Sequence, residues 1–392
     1  MKQITIVKRI TLAGVAAIML AATSASGCEI RVGVVGPFSG GAAQWGLAMK
    51  AGAELAAAET NAAGGIMTEK GACRLRLVEI DTQYSAQGAA RAANSLANEG
   101  VRVVLGPVGS PEVSGIKPVA ARHNMLLMLN SYAKDAIGPQ WPLAFHVSPG
   151  ASGWALPIVQ KAKERFGMKS VVIIAPNDQG GTDIATVVAQ AYETAGVNAK
   201  EEYFQRGTAD FTALVTRVLT TKPDAIDLVS SPTVESGTLA KQLRLAGFSG
   251  PIGKLGGPGT EEIARIVGGY EVLGDYYYFE PIVVDEAALK MRTAYKELTD
   301  KDAPEHTFFY LWGAASRIVF GAMTAAGTGE DTAAIAVKLR EAKVSDPNIG
   351  EGQWIGQKFF GINQELSLPF GMGIIEQGKV EPLIKMPAAT DN

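Results

Sequence analysis

The chain has two cysteines and three histidines in 392 residues. Neither cysteine lies near a histidine pair, and His123, His146 and His306 lack the spacing of metal ligands, which argues against a zinc site. Gly-x-Ser-x-Gly is absent, so no nucleophile elbow is visible. Neither a Gly-x-x-x-x-Gly-Lys-Ser/Thr loop nor a Gly-x-Gly-x-x-Gly turn follows the first strand-like run, which argues against the common phosphate-cradling turns. Carboxylates are plentiful, yet pairs such as Glu201-Glu202 read as solvated faces. We expect no catalytic residue, no metal and no cofactor; the thin inventory favours binding over turnover. Charge of one sign is also missing. A formal charge of −3 with scattered basic residues argues against a nucleic-acid surface. Past residue 22 no apolar run is long enough for a transmembrane helix.

What is present begins with an export signal. Lys2, Lys8 and Arg9 form a positive start, Ile10 to Ala22 is an apolar run too short to span a bilayer, and Thr23 to Gly27 supply small residues for cleavage after Ala25 or Gly27. Residues 1–27 are therefore expected to be removed and the remainder to work in the periplasm. Cys28 has two readings. Ala25-Ser26-Gly27-Cys28 approximates a lipid-attachment box, with alanine at its usually bulky first position. Alternatively, CEIRV at Cys28 and CRLRL at Cys73 place each cysteine at the same offset before a strand, which fits a Cys28–Cys73 disulfide if the strands are parallel neighbours.

Strand and helix signals then alternate. Strand-like runs at 30–35, 75–81, 101–105, 126–129, 171–175, 200–204, 225–229 and 251–255 are separated mostly by helical stretches, the pattern of parallel sheets covered on both faces. The length suggests two domains. The expected fold class is α/β, with two doubly wound parallel-sheet lobes joined by a three-segment hinge. We place lobe 1 at 28–147 plus 277–354, lobe 2 at 148–276 plus 355–387, and a tail at 388–392. The segment 30–46, IRVGVVGPFSGGAAQWG, is the strongest local signal. A buried strand breaks at Gly36-Pro37 into a small-residue loop and opens a helix near Gln44. A helix N-terminus at the carboxyl end of a parallel strand suits an anionic group, and Ser39 to Gly41 are expected to shape the floor of such a site.

With this loop, AAGGI at 62–66, the strand ending at Asp81, VLGPVGS ending at Ser110 and ADFTALV at 209–215, the chain resembles the branched-chain amino-acid type of periplasmic solute-binding protein from residue 30 to about 382. The resemblance implies a monomeric clamshell that closes on a small solute and presents it to the membrane permease of an ABC importer. It also implies ligand contacts. Trp45 falls where a ring packs on the guest's apolar part and Ser110 where a hydroxyl meets its carboxylate. Ser131, Tyr132, Ala133 and Lys134 fall in the second ligand loop, with Lys134 where a small hydroxyl residue is usual. In lobe 2, Gly180 lies where amino-acid binders carry an aromatic residue, the segment 230–233 with Ser231 lacks the expected tyrosine, and Pro258 lies near the position of the glutamate that receives the ammonium, a role for which Asp178 or Glu235 could substitute. A lost ammonium partner and a gained cation at Lys134 favour an acid without an α-amino group. A hydrophobic or branched-chain amino acid stays open beside an aromatic or aliphatic carboxylate. A ligand sensor of the same fold and an exported α/β enzyme are the alternative classes.

Overall fold

The computed structural model describes residues 28–391, so the expected export signal lies outside the described residues. Two eight-stranded sheets carry the chain. In the first, the strands run in the order 353–355, 365–367, 144–146, 126–130, 103–108, 29–36, 71–81 and 66–68. The run 29–36 is flanked by parallel partners on both sides, which explains its near-continuous apolar sequence. Val32 and Val34 pack into one core cluster, whereas Val35 joins the cluster on the opposite face. Glu29 is in register with Arg74, and this sets Cys28 beside Cys73; the two form a disulfide with Cα atoms 4.4 Å apart.

The alanine-rich helix Ala43–Ala62 lies against Thr307–Ala326 at unusually close range. A Cβ on Gly52 would sit 2.4 Å from the Phe309 carbonyl oxygen, so glycine is required for this approach. Small residues on the first helix thus let the large apolar face of the second reach the sheet.

In the second sheet the order is 379–380, 370–376, 276–280, 252–254, 225–227, 170–176 and 198–204, with 384–386 also paired to 370–376. The aromatic run 276–280, read from sequence as a crossing with lobe 1 resuming at 277, is a strand of this sheet. It pairs parallel to Ile252–Lys254 and antiparallel to Phe370–Glu376. Tyr276 and Tyr278 fill the core on one face, Tyr277 and Phe279 the core on the other. A strand buried on both faces needs bulk at every position, and that is why it looks unlike an alternating strand.

The crossings consequently move. The chain changes lobe between His146 and Ala151, then between Glu280 and Glu286, and finally between Ser367 and Phe370. Strand Glu365–Ser367, assigned from sequence to lobe 2, belongs to the first sheet, where it pairs with His146 and with Gln353–Ile355. The tail is not loose at residue 389. The Ala389 carbonyl accepts from Gln353 Nε2 at 3.0 Å and Ser367 Oγ at 2.9 Å, fastening the chain end to the first lobe. No helix among the described residues is long and apolar enough to cross a membrane.

Candidate functional site

The carboxyl ends of both sheets face one another, and the lobes touch across the gap. From lobe 1, the loop after the first strand is clamped by Asp81, whose carboxylate accepts from Phe38 N (2.9 Å), Gln83 N (2.9 Å) and Ser39 Oγ (2.6 Å). Ser39 to Gly41 are exposed, with Gly41 facing Val234 of the other lobe; they form the rim of the cleft rather than its floor. Trp45, one turn further on, is buried and donates from Nε1 to the Pro258 carbonyl at 3.0 Å, a bond between the lobes.

Beyond Asp81 the backbone takes two successive left-handed residues, Gln83 (φ 55°) and Tyr84 (φ 53°). They turn the Tyr84 ring over Gly109, where a Cβ would lie 2.4 Å from the ring. Gly109 itself has φ 121° and opens the helix Ser110–Arg122. Ser110 Oγ accepts from Ser131 Oγ (2.9 Å) and from Tyr132 N (3.2 Å). A hydroxyl has two lone pairs and one proton. Both lone pairs are taken, so the proton is free for a guest, at the N-terminus of a helix that favours negative charge. Ser131 is held in turn by His146 Nε2, which accepts its backbone N–H at 2.9 Å. Ala133 N is tied to Ser131 Oγ at 3.1 Å.

In lobe 2 the nearest approach is made by Gly180. A Cβ there would fall 2.0 Å from Ser110 Oγ, so the absence of a side chain is what lets the two helix N-termini meet. Asp178 caps the helix Gln179–Thr194 by accepting from Gly181 N at 2.9 Å, and it also forms an ion pair with Arg206. The Arg206 guanidinium lies 5.3 Å from the centre of the Tyr84 ring, a cation–π contact across the lobes. Lys134, expected in the site, is half exposed; its backbone N–H donates to Asp183 at 2.8 Å and its Nζ lies 3.7 Å from the same carboxylate. It is a lysine of the cleft rim. Ser231 is buried with its carbonyl accepting from Ser236 Oγ at 3.1 Å, and its neighbour Ser230 is the one that faces the gap.

These walls enclose a cavity of about 20 Å³, lined by Trp45, Tyr84, Val108, Gly109, Ser110, Asn130, Ser131, Tyr132, Ser230, Gly257 and Phe308. It has room for little more than a water molecule in this closed form, and a larger guest holds the lobes further apart. Four of the expected residues therefore line it (Trp45, Ser110, Ser131 and Tyr132). Gly180 and Pro258 meet lobe 1 beside it and Asp178 caps the lobe 2 helix next to Gly180, whereas Ala133, Lys134 and Ser231 stand outside it. Sequence reasoning missed Tyr84, which had only its position after Asp81 as a signal. It missed Phe308, hidden at the start of an apolar helix, and Ser230 and Gly257, each one residue from a position it named.

A larger concavity of about 720 Å³ flanks the hinge beside Gln44, Tyr278 and His306. It is a weaker candidate despite its size, because its charges, Glu261 apart, are satisfied internally. Glu262 pairs with Arg265, Glu305 with Arg292, and Glu280 accepts from Thr307 Oγ1 at 2.5 Å. Among the described residues no cluster of His, Cys, Asp and Glu could hold a metal ion.

Residues 29–365 match the family described as periplasmic binding protein. A Leu/Ile/Val-binding protein of Rhizobium johnstonii is 26% identical over 327 residues, 82% of this chain and 86% of that protein. The branched-chain amino-acid transporter substrate-binding protein LivJ of Streptococcus pneumoniae, solved with isoleucine, superposes with a TM-score of 0.76 at 23% identity, covering 91% of this chain and 100% of that one. An ABC-transporter solute-binding protein of R. palustris, solved with benzoate, gives a TM-score of 0.75 at 16% identity over 93% of this chain and 98% of that one.

Proposed function

The chain belongs to the periplasmic binding protein family, and we propose that it is the exported solute-binding component of an ABC importer whose guest is a small carboxylate without an ammonium group. It works as a monomer, performs no chemical step, and delivers the guest to a membrane permease. Relatives carry names for branched-chain amino-acid binding, and a structural neighbour was solved with benzoate, so both kinds of acid are within the reach of the fold. The composition of the cavity wall favours the acid without an ammonium group. Ser110 offers a free proton to a carboxylate, and Trp45, Tyr84, Tyr132 and Phe308 offer apolar faces, but no carboxylate side chain lines the cavity. Of the acids around Tyr84, Asp178 is committed to Gly181 N and Arg206, Glu112 accepts from Thr82 Oγ1 and Glu235 from Gly207 N, and none of the three lines the cavity. A buried ammonium would lack a counter-charge, a heavy cost in a closed cleft.

The guest makes contacts from both lobes only when they are shut, so its binding free energy shifts the population towards the closed form. A thermal-shift panel of benzoate, phenylacetate and 4-methylpentanoate against leucine, isoleucine and valine tests the reading. A ligand of the folded form raises the midpoint with its excess over Kd. We expect shifts from the acids. Shifts confined to the amino acids would sink the carboxylate assignment and leave the importer role in place.

A further inference from the structure

Lys254 ends the strand Ile252–Lys254 and is 1% exposed. We propose that its ammonium is the cation that receives the guest's carboxylate from lobe 2, opposite the Ser110 hydroxyl of lobe 1. The inference rests on the carboxylate reading above and names the residue that enforces it.

An ammonium has three N–H donors. One goes to the Gly256 carbonyl at 2.5 Å, and no other hydrogen bond and no ion pair involves Lys254 among the described residues. The carboxylates on the two neighbouring strands are occupied. Asp227 accepts from Tyr192 OH at 2.7 Å and Leu255 N at 3.2 Å, and Glu280 accepts from Thr307 Oγ1 at 2.5 Å. Asp227 and Glu280 attract the lysine from a distance, while Arg206 repels it. Burial outweighs the attraction and brings the ammonium down to about 7. A fully buried lysine with one carbonyl for company is costly to keep. A methionine there would pack as well without that cost.

The position of Nζ gives the lysine a use. Gly257 lines the cavity with φ 88°, and a Cβ on it would lie 3.6 Å from Lys254 Nζ and 2.8 Å from Trp45 Cζ2. The ammonium and the edge of the indole thus converge on the space that a side chain on Gly257 would fill, at one of the two wall positions held by glycine. When the lobes part enough to admit a guest, its carboxylate can accept a hydrogen bond from the Ser110 hydroxyl on one side and from a Lys254 N–H on the other. Closure then depends on the acid group, and the guest's apolar part lies on Trp45 and Phe308.

The test is titration calorimetry of wild type and Lys254→Met with benzoate, phenylacetate, benzamide and leucine at pH 6 and pH 8.5. A charged hydrogen bond lost from the cleft predicts benzoate binding about thirtyfold or more weaker in Lys254→Met, with benzamide little changed. In wild type, benzoate affinity should fall about thirtyfold from pH 6 to pH 8.5, because the free lysine must first take up a proton. Titration in two buffers of different ionisation heat reads that uptake directly, without any variant. Wild type that binds benzoate or phenylacetate with no proton uptake, and no weaker after Lys254→Met, overturns the assignment while the carboxylate reading survives. Wild type that takes leucine alone, or none of the four probes, overturns both.

Discussion

Gly180→Ala separates closure from folding. In lobe 2 alone the substitution is benign. Gly180 sits in the first turn of Gln179–Thr194 without a left-handed φ, and the next-nearest neighbour of a new Cβ after Ser110 is Asp178 Oδ1 at 3.6 Å, an ordinary contact. Alanine in a helix is favoured over glycine by roughly 0.5–1 kcal/mol. Across the cleft, however, the methyl would fall 2.0 Å from Ser110 Oγ and 2.2 Å from its Cβ. Restoring a normal separation requires the lobes to part there by roughly 1.3 Å. The bonds Trp45 Nε1 to Pro258 O (3.0 Å), Lys134 N to Asp183 Oδ2 (2.8 Å) and Gln179 Nε2 to Asp135 Oδ1 (2.9 Å) cannot all survive that movement. At about 1 kcal/mol each, the closed form loses about 3 kcal/mol relative to the open one, two decades in population. Rotating Ser110 aside instead would break its bonds with Ser131 and Tyr132, a comparable loss. Distances between spin labels, one on each lobe, read the closed fraction without ligand, and calorimetric unfolding reads the fold. We expect a wider distance distribution with an unchanged or slightly raised Tm, and recovery of closure in the double variant with Ser110→Gly. A closed-to-open ratio within threefold of wild type would refute the reasoning.

At the cleft, Ser110→Ala removes a donor to a charged group and should weaken benzoate binding about tenfold or more in calorimetric titration, whereas Lys134→Ala removes a half-exposed pair and should change it less than about fivefold; the reverse order would return Lys134 to the site. His306 Nδ1 accepts from Phe308 N at the start of Thr307–Ala326, and burial holds the ring down at about 4, below its ordinary 6.5. A depressed histidine means the unfolded chain binds the extra proton first, so stability is lost as pH falls from 6.5 towards 4, by roughly 1–3 kcal/mol; His306→Asn, which keeps a capping acceptor, should flatten that part of the urea-midpoint profile, and an identical profile would exclude the mechanism. Reducing the Cys28–Cys73 bridge, which spans a sequence separation of 45, should cost about 3–4 kcal/mol in urea unfolding, and an unchanged midpoint in Cys28→Ser would show that the bridge contributes nothing.

The alternation of strand and helix was legible because each segment of the two sheets has its own local period and caps. Parallel strands such as 29–36 and 170–176 announce themselves by apolar runs between glycine-rich loops and helices. The hinge was harder to read. Tyr276–Glu280 carries five bulky or polar residues in a row, and only its pairing with both neighbours shows it to be a central strand. The short strands 353–355 and 365–367 owe their existence to the edge they complete, which no local pattern encodes.

The wall of lobe 1 was legible for the same reason as the sheets, since its loop follows a clear strand and opens a clear helix. The wall of lobe 2 depends on contacts between segments far apart in sequence. Lys134 and Lys254 illustrate the difference. Both stand near loops at the ends of strands, and in sequence each is an ordinary lysine among small residues. Lys134 ends half exposed beside Asp183, where water screens it and the pair contributes little. Lys254 ends beneath Gly257, enclosed by the strands that carry Asp227 and Glu280, where the same ammonium has lost its water. A search for the cation of this cleft by residue type returns both. Only the desolvation set by three adjacent strands separates a charge that water satisfies from one that a guest must satisfy.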